Sequence, residues 1–61
     1  MAAHRPNSIE TLTVDGEPVE VWKSSHWWVA RLRDRPGIIA QAFTHRSVLR
    51  RIRHTMQYLA P

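Results

Sequence analysis

Hydrophobic and polar residues alternate along the first two thirds of the chain and then change period. Leu12 and Val14 are spaced by two and run into Asp15-Gly16, a two-residue hairpin signal. Val19, Val21 and Trp22 follow on the return side, and Pro18 predicts that this strand starts late or lies at an edge. Ser24-Ser25 marks a second turn. From His26 to Arg33 the alternation is strict, with Trp28, Ala30 and Leu32 on one face and Trp27, Val29, Arg31 and Arg33 on the other. Asp34-Arg35-Pro36-Gly37 reads as a loop. Ile38 to Phe43 is a short apolar run, bounded by glycine, that predicts a further strand. Beyond it the period becomes helical. Val48, Leu49, Ile52, Met56 and Leu59 form one stripe, while Arg46, Arg50, Arg53 and Gln57 share the opposite face. Thr44 is placed to cap this helix.

The predicted class is therefore α+β: a small antiparallel sheet of three to four strands, followed by one C-terminal helix packed on one face. The domain runs from residue 8 to 61, in the order β-β-β-β-α. Residues 1–7, with Pro6 and Asn7, read as a flexible N-terminal tail. The helical stripe should meet Trp28, Ala30, Leu32 and part of the 38–43 strand. If Val19 and Val21 also face this core, Trp22 and Trp27 fall on the outer face of the sheet.

A chain of 61 residues holds one domain and buries little. Such a domain removes only about 60% of its unfolded surface from water. Ordering costs on the order of 1.5 kcal/mol per residue and nearly cancels the hydrophobic gain. With no cysteine there is no disulfide, thiol nucleophile or cysteine metal site to help. Oligomerisation is the remaining aid, so a homodimer or a place in a complex is expected. No apolar run approaches the roughly 20 residues of a membrane span. No secretory signal is visible, and the expected location is cytoplasmic.

Charge is unevenly spread. Residues 1–30 carry a net −2 and residues 31–61 a net +6, and eight of the nine cations are arginine. Arginine favours planar, bidentate and stacked contacts. Trp22, Trp27, Arg31 and Arg33 on the sheet, with Arg46, Arg50 and Arg53 on the helix, are the candidate partner- or nucleic-acid-binding residues. Aromatic rings can stack bases and arginines can meet phosphates; a covered protein interface and a solvated basic face are the competing readings. His4, His26, His45 and His54 are too scattered for a metal set, and Gly16 and Gly37 make no glycine-rich phosphate loop. No catalytic residue, metal or cofactor is expected.

Residues 19–56 resemble the HicB family of antitoxins. The pattern runs through Val19-Glu20-Val21-Trp22, the turn Ser24-Ser25-His26 and Trp27-Trp28-Val29-Ala30-Arg31-Leu32. It continues through Asp34-Arg35-Pro36-Gly37, Ile38-Ile39-Ala40-Gln41-Ala42 and Phe43-Thr44 into the helix from His45. The resemblance implies a β-β-β-α core partly like a degraded RNase H fold, dimer formation, and binding to a small toxin that cleaves messenger RNA. Family members commonly add a C-terminal DNA-binding module, and this chain stops before one would fit. A strand after the helix is also without a counterpart, and residues 9–14 could fill an edge instead. The family helix is usually acidic and its toxins are small and basic. Here the helix carries Arg46, Arg50, Arg51 and Arg53 and no acid, and like charges across an interface raise its energy.

The expected function is thus a non-enzymatic, antitoxin-like binding protein that occludes a small partner protein. The alternative is a nucleic-acid-binding module using the arginine helix and the Trp/Arg sheet face. A third reading is a small ribonuclease toxin built on His26, since Ser24-Ser25-His26 echoes the Gly-Ser-His signature of the toxins without its glycine.

Overall fold

The computed structural model describes residues 9–59; the tail expected over residues 1–7 lies outside them. Four strands, β1 (Glu10–Val14), β2 (Glu17–Ser24), β3 (Trp27–Leu32) and β4 (Ile39–Ala42), precede one helix, α1 (His45–Leu59). The sheet is an antiparallel meander in the order β1-β2-β3-β4. The α+β class and the element order are those the sequence predicts.

Local chemistry explains each boundary. Asp15 and Gly16 both have positive φ, 49° and 82°, as a two-residue turn matching the strand twist requires. The turn sets the register that pairs Leu12 with Val19. Ser25 and His26 make the second two-residue connection, with Ser25 at φ 25°. The helix begins as expected. The Thr44 hydroxyl accepts a 3.0 Å hydrogen bond from the Ser47 amide, and the Thr44 carbonyl accepts the first helical bond from Val48 at 3.0 Å.

Pro18 does not delay β2, and the strand it belongs to is not an edge. β2 starts at Glu17 and lies between β1 and β3. The register accounts for this. Pro18 stands opposite Thr13, and its carbonyl accepts from the Arg33 amide at 3.0 Å, just past the end of β3. The donor that proline lacks would face Arg33, so what is lost is one half of the pair just past the end of the β2–β3 ladder and not a bond within it.

The core lies between the sheet and the helix. Val19, Val21, Ala30, Leu32 and Ala42 from the strands meet Val48, Ile52 and Met56 from the helix, and all are buried. No buried residue among those described is polar or charged. Leu12, Val14, Ile38, Ala40, Leu49 and Trp28 pack at its margin. Trp28 is thus half-buried rather than central: His45 meets its ring edge-on at 5.0 Å between centroids. The helix packs over β3 and β4. β1 reaches it through polar contacts at its two ends: Glu10 Oε1 lies 2.8 Å from His45 Nε2, and Asp15 Oδ1 lies 3.4 Å from Arg53 Nε.

Candidate interaction surfaces

The predicted site residues fall into two groups, and the sheet separates them. Strand alternation places Trp22, Trp27, Val29 and Arg31 on the face away from the helix, together with Ile39 and Gln41 of β4. Phe43, just beyond β4, stacks on Trp27 with ring centroids 4.6 Å apart and planes 16° from parallel. Three large apolar side chains are exposed here: Trp27 at 39%, Ile39 at 50% and Phe43 at 72%. Val29, flanked by Trp22 and Gln41 on the neighbouring strands, is buried on this same face.

Charge on the outer face is internally balanced. Arg31 donates to Glu20 across the strand pair at 2.8 Å, and its guanidinium lies 5.1 Å from the centre of the Trp22 ring. The arrangement keeps Arg31 over an aromatic ring and pairs its charge with Glu20. Arg33 departs from the expected placement. β3 ends at Leu32, and Arg33 falls in the exposed bend that follows rather than on the strand beside Trp27.

The second group lies on the helix. Arg46, Arg50, Arg51 and Arg53 are all exposed. Arg53 is shared with Asp15; among the described residues Arg46, Arg50 and Arg51 have no carboxylate in salt-bridge range. Arg46, Arg50 and Arg53 line an open groove with Leu49 and residues 13–15 at the end of β1. Arg51 lines a different depression with Thr55 and Ile39, Ala40 and Gln41 of β4. The helix therefore carries arginine on both flanks.

His26 sits exposed in the β2–β3 turn, and no carboxylate is hydrogen-bonded to it among the described residues. The described residues also hold no cluster of three His, Asp or Glu side chains placed for a metal ion. No described helix is long and apolar enough to cross a membrane.

Sequence reasoning missed two members of the outer surface, Ile39 and Phe43, by treating 38–43 as one apolar run. The period-two signal was present: Ala40 and Ala42 face inward, so Ile39, Gln41 and Phe43 must face out. The Glu10–His45 and Asp15–Arg53 contacts had no local signal, because each joins residues far apart in the chain.

No family model, no curated protein and no solved structure matches this chain.

Proposed function

We propose that this chain is a non-enzymatic, HicB-like binding protein. It acts as an antitoxin does, covering a small partner protein such as an mRNA-cleaving toxin, in the cytoplasm and as a homodimer. The observation that carries the reading is the outer sheet face, where the stacked Trp27 and Phe43 are exposed and Ile39, at the other end of β4, is exposed as well. Aromatic side chains of this kind dominate the energetics of protein interfaces, whereas a small monomer rarely leaves them grouped in water. The order of β2, β3, β4 and α1 also follows the pattern on which the family resemblance rests.

The charge of the helix does not oppose this reading. The arginines of α1 lie on the other side of the sheet from Trp27 and Phe43, and Arg31 on the outer face is paired with Glu20. A basic toxin docked on the outer face meets a surface with no uncompensated cation in its centre.

The test is co-expression in the native host with the small protein that co-purifies after nuclease treatment. That protein should arrest growth when expressed alone, and the wild-type chain should relieve the arrest. Trp27→Glu with Phe43→Glu should abolish relief while the chain stays folded by circular dichroism. Relief unaffected by the double substitution overturns the proposed face. Growth arrest by the chain itself, relieved by His26→Ala, would replace the antitoxin reading with the toxin one.

A further inference from the structure

We infer that the exposed face of α1 is a docking surface for the phosphate backbone of duplex DNA. Arg46, Arg50 and Arg53 lie away from the sheet face, and Arg51 borders its edge at Ile39 and Gln41. The first argument is charge. The helix carries four arginines and no acid, and the acids of the strands sit on other groups: Glu20 takes Arg31, Glu17 takes Arg35, and Glu10 is hydrogen-bonded to His45. Only Asp15 reaches the helix arginines, and it contacts Arg53 alone. Arg46, Arg50 and Arg51 are left as exposed cations grouped on one element. Such a group repels itself in the free protein and is relieved by a polyanion. Arginine in particular can present two parallel donors to one phosphate.

The second argument is where those cations point. Arg46 and Arg51 are five residues apart, about 140° around a helix. Arg46 and Arg53 border the groove beside β1, while Arg51 borders the depression beside β4. Arg50 lies between, lining the groove beside β1 and also the surface shared with Ser47 and His54. A helix with cations on both flanks and polar residues on its crest fits a groove whose two walls are phosphate backbones. The B-DNA major groove is about 12 Å wide and admits an α-helix. The corresponding groove of A-form RNA is too narrow for one. Among the described residues nothing covers the crest, because the sheet lies against the opposite side of α1.

The third argument selects duplex over single strand. Proteins that bind single strands interleave aromatic rings with their cations so that successive bases stack. Between Arg46 and Arg53 the helix has no aromatic residue; Trp27 and Phe43 are on the far side of the sheet, and Tyr58 stands beyond the arginines in the last turn. The arginine set can grip a backbone but offers no stacking platform within it.

Fluorescence anisotropy with the full chain and a short, labelled, mixed-sequence DNA duplex tests the inference. If three to four phosphates are neutralised, log affinity should fall with log salt with a slope of about −3 to −4. Charge reversal at Arg50→Glu with Arg51→Glu should weaken binding by about tenfold or more at low salt. The milder Arg50→Gln with Arg51→Gln should weaken it less and leave the circular dichroism spectrum unchanged. Trp27→Ser with Phe43→Ser, which leaves the net charge as it is, should leave DNA affinity unaltered and so separate this surface from the one on the sheet. The inference is overturned by no binding at low salt, by equal affinity in the charge-reversed variant, or by preference for a single strand or an RNA duplex of the same length.

Discussion

The two faces of this sheet are made by the same strands, read one residue out of phase. On the inner face, Val19, Val21, Ala30 and Leu32 lie against Val48, Ile52 and Met56 of the helix and are closed to water. On the outer face, Trp22, Val29, Arg31, Ile39 and the Trp27–Phe43 pair have no layer above them among the described residues. Both faces are apolar enough to be covered, but the described residues supply a cover for one. The inner residues are small and branched and interlock with a helix. Beside Val29 and Ile39, the outer face carries the rings of Trp22, Trp27 and Phe43 and the guanidinium of Arg31, residue types enriched at interfaces. Composition by face therefore separates what holds this domain together from what it offers to a partner.

Substitutions that compare the faces should give effects in a definite order. Leu32→Ala empties a site closed on all sides and should cost about 2–5 kcal/mol, enough to unfold much of a domain this small; urea denaturation followed by circular dichroism measures it. Val29→Ala removes two methyl groups from the one closed position of the outer face and should cost about 1.5 kcal/mol by the same measurement. A loss as large as that of Leu32→Ala would mean that the outer face is a second core, and the contrast between faces would fail. Phe43→Ser should change the stability of the free chain by less than about 0.5 kcal/mol, because its ring is largely in water already. A marked loss of melting temperature for this last variant would show that the Trp27–Phe43 stack is structural.

Most of the fold was legible because its determinants are local. Asp15-Gly16 fixes a turn, Thr44 caps a helix, and the change from period two to the stripe of Val48, Ile52 and Met56 separates sheet from helix. What was not legible depends on register and on distance. Pro18 is accommodated inside the sheet because β3 ends opposite it, a fact of pairing rather than of sequence. Arg33 leaves the strand face because β3 stops one residue earlier than the alternation suggests. Ile39 and Phe43 joined the outer surface once the phase of β4 was set by Ala40 and Ala42. Of the candidate residues, Trp22, Trp27 and Arg31 are assigned to the outer face by alternation alone, and the fold places them there, across the sheet from the helix.

The attachment of β1 carries a further consequence. It pairs with β2 alone, and the helix lies over β3 and β4, so beyond Leu12 and Val14 at the margin of the core it is tied to α1 by the exposed Glu10–His45 and Asp15–Arg53 contacts at its two ends. Exposed contacts of this kind, one a hydrogen bond to an imidazole and one an ion pair, contribute little. The domain thus has a built-in order of disassembly: β1 is its least protected segment and opens first, while β2, β3, β4 and α1 persist as the cooperative unit, with Leu12 and Val14 withdrawn from the edge of the core.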